Sequence, residues 1–149
     1  MSGEFRHIVR MADTDLDGSQ KVAYALTKIK GVGIRLAGAI VRVAGVNPEE
    51  RLGNLTDEEI ERLEDAIRNP LKYGIPPYLL NRQRDPTTGK DLHLIGADLT
   101  LQVKADIDLM KKIKCWKGVR HSLGLKVRGQ RTRTTGRKGV TVGVRRKKK

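Results

Sequence analysis

From Lys117 to Gln130 the chain reads KGVRHSLGLKVRGQ, and RTRTTGRK follows directly. The cations Lys117, Arg120, Lys126, Arg128, Arg131, Arg133, Arg137 and Lys138 are spaced by Gly, Thr and Val. A chain of this kind can follow an RNA groove. Each Arg can fork onto phosphates or a base edge, and Gly lets the backbone come close. Thr132, Thr134 and Thr135 add hydroxyls able to reach phosphate or a ribose 2′-OH. His121 and Gln130 supply hydrogen-bonding groups inside the same block. His7 and His93 lie far from His121 in sequence, so a histidine metal cluster is not expected. The competing reading is a solvated tail or a targeting sequence, and this arrangement of residue types is too particular for it.

Charge supports the same chemistry. Of 31 Lys and Arg, 16 fall in the last 41 residues, Leu109 to Lys149, where none of the 17 Asp and Glu occurs. The net charge of +14 is therefore a C-terminal property. A segment so charged and so rich in Gly repels itself and is expected not to fold alone, but to need a polyanion. Release of condensed counterions from a phosphate backbone drives such binding. One Phe, one Trp and three Tyr leave few rings for base stacking, which favours backbone and shape recognition.

A second candidate is Lys28-Ile29-Lys30-Gly31-Val32-Gly33-Ile34-Arg35, which has the form of a helix-hairpin-helix turn. Its glycines allow a tight reversal, and the free N–H groups of the next helix favour a phosphate oxygen beside Lys28, Lys30 and Arg35. An ordinary helix corner using Gly for its geometry is the other reading, and both stand at this point. A dinucleotide fingerprint is excluded, because a helical pattern precedes the turn and position 36 is not Gly.

These groups must be carried by a small scaffold. The expected fold is mainly α, with helices near 20–29, 34–44, 57–68 and 98–116. Val22, Leu26 and Ile29 share one face, and Leu36, Ala37, Ile40 and Val41 another, ending at Gly45. Thr56-x-x-Glu59 is a capping box with Leu55 and Ile60 as its staple. That helix stops before Asn69-Pro70. Leu26, Ile29, Leu36, Ile40, Ile60, Leu63 and Ile67 should be buried. Residues 5–11 read as extended and 12–19 as an Asp- and Gly-rich turn. Residues 71–97 read as an irregular insert in which Asp85 to Gly89 tips a small hairpin. In the last helix Leu99, Val103, Ile107, Met110 and Ile113 line one face, and Gly118 is expected to end it. Two regions follow: a helical RNA-binding domain over 1–118 and an extended basic tail over 119–149, whose glycines argue against regular structure. Trp116 reads as a core or interface anchor, with a stacking platform as the alternative. The acidic run from Asp57 to Asp65 reads as a solvated helix face, or one that meets a basic protein.

Other chemistries are poorly served. Asp13, Asp15 and Asp17 suggest a calcium loop, but its twelfth position is Tyr24 rather than Glu. The single Cys115 excludes an intrachain disulfide and a cysteine zinc cluster, and fits a reduced, cytoplasmic setting. No apolar run approaches a membrane span. A hairpin-containing DNA glycosylase would need an N-terminal Pro nucleophile with a zinc finger, or a hairpin Lys with a later catalytic Asp in a larger domain. Position 2 is Ser and only one Cys exists, so neither an enzyme nor a cofactor is expected.

The Lys117–Gln130 block resembles the signature of the universal thirteenth protein family of the small ribosomal subunit. Thr132 to Arg137, Thr141 to Val144, the hairpin at Ile29 to Gly33, Ile75-Pro76 and Asn81-Arg82 continue the likeness, from about Phe5 to Val144. The long segment between Tyr73 and Leu99 is similar to the archaeal and eukaryotic branch. The short N-terminus and the final Arg145, Arg146, Lys147, Lys148 and Lys149 resemble an archaeal member.

The resemblance implies a ribosome-bound constituent of the small-subunit head, in contact with its rRNA and with neighbouring head proteins. It also implies intersubunit bridges to large-subunit rRNA and the fifth large-subunit protein, and a tail (residues 145–149) near peptidyl-site tRNA. A nucleoid or chromatin-type DNA-binding protein with a basic tail is the alternative, sharing the charge but having no need of the Lys117–Gln130 block.

Overall fold

A computed structural model describes residues 5–134. The chain falls into two compact units, one ending at Leu101 and one beginning at Gln102.

The first unit begins with strands β1 (Ile8–Met11) and β2 (Thr14–Asp17), paired antiparallel with Val9 opposite Leu16. Alternation places Val9, Met11 and Leu16 in the core and leaves Ile8 out. Half of the segment expected to be one long turn, residues 12–19, is thus strand. Ala12 and Asp13 form the hairpin turn, both at positive φ (46° and 56°), as a two-residue hairpin of this hand requires, and Gly18 and Ser19 form a second turn after β2.

Helix α1 (Val22–Leu26) is shorter than its apolar period, but amide bonds from Thr27 to Tyr24, Lys28 to Ala25 and Ile29 to Leu26 prolong it as tightened turns. Ile29 therefore stays in register with Val22 and Leu26, and all three are buried. Helix α2 (Ile34–Val43) buries Leu36, Ala37, Ile40 and Val41, and Gly45 leaves its end at φ +69°. Helix α3 (Asp57–Arg68) starts on the complete Thr56–Glu59 capping box and ends at Asn69. It buries Leu63, Ala66 and Ile67, with Ile60 half-buried against the same core. Each such Leu or Ile contributes about 1.5–3 kcal/mol on burial.

The insert between α3 and the next helix is irregular, as expected. A bridge between Arg82 and Leu92 closes a small hairpin, and Gly89 N–H donates to the Asp85 carbonyl at its tip (2.7 Å). Asp85 is buried yet well satisfied. Its carboxylate accepts from Arg82 Nε (2.9 Å), the Thr88 amide and hydroxyl (3.0 Å each) and the Thr87 hydroxyl.

Helix α4 (Gly96–Lys112) stops one turn earlier than its pattern suggests. Lys114 takes φ +56° and the chain restarts as α5 (Trp116–Ser122). Gly118 does not end the long helix: it sits inside α5 and is that helix's buried residue. The expectation of no regular structure beyond Gly118 is corrected to that extent. The glycine there serves close packing rather than termination. No residue of α4 is buried, and Leu101, Val103, Leu109 and Ile113 are exposed. Among the described residues no helix is long and apolar enough to cross a membrane.

Candidate nucleic-acid interface

In the first unit the hairpin lies between α1 and α2. One of its two glycines makes the reversal. Gly31 has φ +104°, and a Cβ there would stand 2.4 Å from the Leu94 carbonyl oxygen. The insert packs on the turn at this point: Gly96 N–H donates to the Lys30 carbonyl (2.9 Å). Asn81 brackets Leu94, its Nδ2 donating to the Leu94 carbonyl (2.6 Å) and its Oδ1 accepting from the Leu94 amide (2.9 Å). Residues 81–96 thus hold the hairpin in shape, a role the sequence did not reveal.

Gly33 is different. It is the N-cap of α2 with ordinary extended backbone (φ −95°), and nothing lies within 4 Å of where its Cβ would be. Its value is openness rather than conformation. Helix α2 has no side-chain cap and no acid in its first turn, so its leading N–H groups and positive dipole end stay uncompensated. Helix α3 is the opposite case, with a full capping box and Asp57, Glu58 and Glu59 in its first turn. Lys28, Lys30 and Arg35 are exposed around the open end of α2. Asp17 is held below the usual carboxylate range chiefly by the Ser19 hydroxyl and amide, with a smaller contribution from Lys28. That arrangement suits a phosphate.

In the second unit α5 is pressed against the last turn of α4. A Cβ at Gly118 would lie 2.1 Å from the Met110 carbonyl oxygen. Cys115, the N-cap of α5, donates its amide (3.3 Å) and thiol (3.4 Å) to that carbonyl and accepts from Gly118 N–H at Sγ (3.4 Å). With α5 so placed, Lys117, His121 and Arg128 line one groove with Val103, Ile107 and Met110, about 700 Å³ in volume. Arg120 turns inward to its own loop, where Nε donates to the Lys126 carbonyl (2.5 Å) and the guanidinium lies over Trp116, 5.5 Å from the ring centre. It shapes the loop as well as carrying charge. Trp116 is 72% exposed and is therefore no core anchor. Lys126, Arg128, Gln130, Arg131 and Arg133 are exposed along the irregular segment that follows. Arg137, Lys138, Arg145, Arg146, Lys147, Lys148 and Lys149 lie outside the described residues.

Among the described residues no three His, Cys, Asp or Glu side chains gather to hold a metal. Sequence reasoning did not single out Arg42, which lines a groove beside α2 together with Arg35. Its signal was the seven-residue spacing from Arg35 on an otherwise apolar helix.

Residues 10–138 match the family model described as ribosomal protein S13/S18. The small ribosomal subunit protein uS13 of Staphylothermus marinus is 61% identical over 145 residues, covering 97% of this chain and 96% of the relative. That of Pyrobaculum islandicum is 62% identical over 148 residues, covering 99% and 96%. That of Aeropyrum pernix is 51% identical over 150 residues, covering 99% and 100%. A basic block fixed by a buried glycine, an open helix end flanked by cations, and likeness along the whole length agree: the chain belongs to the ribosomal protein S13/S18 family.

Proposed function

We propose that this protein, a non-enzymatic constituent of the small ribosomal subunit, holds the rRNA of the subunit head at two places. One is the open N-terminus of α2 with Lys28, Lys30, Gly31, Gly33 and Arg35. The other is the basic block on and after α5, from Lys117 to Lys138. The 119–149 segment runs along the RNA, with residues 145–149 reaching toward peptidyl-site tRNA. Neighbouring head proteins, large-subunit rRNA and the fifth large-subunit protein at intersubunit bridges are the further partners. The exposed apolar residues of α4 support a protein neighbour, since such surface is costly to leave in water.

The observation that carries the RNA reading is the division of charge. All net positive charge lies beyond Asp108, and Lys117 and Arg120 of that stretch are carried by α5, a helix fixed in place through Gly118. Phosphate neutralisation supplies affinity, while the α2 end and the α5 groove supply register. Competition at fixed salt tests it. Structured head rRNA should displace the protein from duplex DNA of equal charge, and equal affinity for the two would refute the reading.

A further inference from the structure

Beside α2 in the first unit lies an open groove of about 920 Å³ that shares only Arg35 with the RNA reading. One wall is the outward face of α2, and the other is the segment Gly74 to Leu79. Ile34 (47% exposed), Val43 (39%) and Tyr78 (74%) stand in or over it with Leu79. Phosphates and ribose gain little from such a surface, whereas aliphatic and aromatic side chains of a protein would bury it. Arg35 and Arg42 line it too, exposed, without a salt bridge among the described residues, and none of the described lining residues is acidic. They are seven residues apart on one helix, about 10.5 Å along its axis. Tyr and Arg around an apolar floor, with Asp and Glu absent, is the composition of a protein-binding hot spot.

We infer that this groove receives an amphipathic segment of another ribosomal protein, its apolar face on Ile34, Val43 and Leu79 and its carboxylates on Arg35 and Arg42. The inference rests on membership of a ribosomal assembly and is independent of where rRNA binds. A helix lying along α2 would present two acids about two turns apart to match the two arginines. Arg35 stands at the boundary of the two surfaces, so Arg42 is the residue that reports on the groove alone.

The test is a photo-cross-link in assembled small subunits and ribosomes carrying Tyr78→p-benzoylphenylalanine. The expected product is a peptide of another protein that contains paired Asp or Glu. Arg42→Glu should lower its yield about tenfold or more, because a like-charge contact replaces an attractive one, and Arg42→Gln should lower it less. Replacing the facing carboxylate by Lys should restore the Arg42→Glu yield. The melting temperature of the free variants, measured in parallel, should stay within error of the parent, so that a lost yield is not a lost fold. Cross-linking to rRNA, to this chain alone or to nothing would overturn the inference, as would a yield indifferent to Arg42→Glu.

Discussion

Gly118→Ala separates two physical effects of opposite sign. In a solvent-exposed helix interior, Ala in place of Gly stabilises by about 1 kcal/mol. At position 118 the new Cβ would stand 2.1 Å from the Met110 oxygen, 2.4 Å from its carbonyl carbon and 2.7 Å from Lys111 N. All three are backbone atoms, so α5 must retreat by more than an ångström to reach an ordinary contact distance. Overpacking of this kind costs about 1–3 kcal/mol. The retreat also lengthens the bonds that Cys115 makes to Met110, each contributing about 0.5–1.5 kcal/mol. Set against the gain in propensity, the net is a destabilisation of about 1–3 kcal/mol. Local opening of α5 should rise roughly tenfold, since 1.4 kcal/mol is a factor of ten. Amide hydrogen exchange reads this directly at Val119, Leu123 and Leu125, whose N–H groups bond to Cys115, Val119 and Arg120. Faster exchange at these three, with the α2 and α3 amides unchanged, is the expected result. Slower exchange with increased helicity would mean that Gly118 faces solvent and that α5 is not fixed by α4.

The two hairpin glycines should respond differently. Gly31→Ala places a side chain at φ +104° and against the Leu94 carbonyl, so a loss of about 1–3 kcal/mol in thermal unfolding is expected. Gly33→Ala should leave stability within about 1 kcal/mol, because its backbone is ordinary and its surroundings are open. Any loss of rRNA affinity by Gly33→Ala then reports on a phosphate at the end of α2; equal melting losses for both would refute the distinction. Asp65 offers a pH prediction. The Tyr73 hydroxyl, then the Asn69 amide and Lys72, hold its pKa down from 3.8 to about 2. A depressed carboxylate pKa gives stability that is fully present above 3.8 and lost as pH falls toward 2. The link from the end of α3 to Tyr73 should therefore loosen between about pH 4 and 2, and Tyr73→Phe should raise the Asp65 carboxyl titration seen by NMR. A titration unmoved by Tyr73→Phe would remove the hydroxyl from its causes.

What could be read from the sequence follows from which interactions are local. The Thr56–Glu59 box and Asn69-Pro70 bound α3 because capping and the proline restriction act within a few residues. The buried faces of α1 and α2 followed from period alone. The β1–β2 hairpin escaped notice because Ala12 and Asp13, rather than Gly or Asn, take the positive φ of its turn. The break after Lys112 escaped for the same reason, Lys114 being an unmarked residue in the left-handed region. Gly118 was legible as a special position but not as a buried one, since its contact with Met110 depends on how two helices meet. Within the candidate site, the cations and the hairpin were visible as residue types. The buttress of Asn81 and Leu94 on Gly31 was not, because it joins positions 50 and 63 residues apart in the chain.

The measurement that bears most directly on RNA binding through the C-terminal charge is the salt dependence of head-rRNA affinity for the full chain and for a chain ending at Leu125. That cut keeps α5 and its closing bonds from Leu123, Gly124 and Leu125, and removes 11 of the 16 cations that follow Asp108. Each neutralised phosphate contributes a log–log slope of about −0.7 to −0.9. With half of the 16 engaged, the full chain should show a slope of about −6, and the shortened chain about −2. The helical signal of α1 to α3 should be the same in both. Equal slopes for the two proteins would contradict RNA binding through this segment and leave the basic tail as a passive appendage.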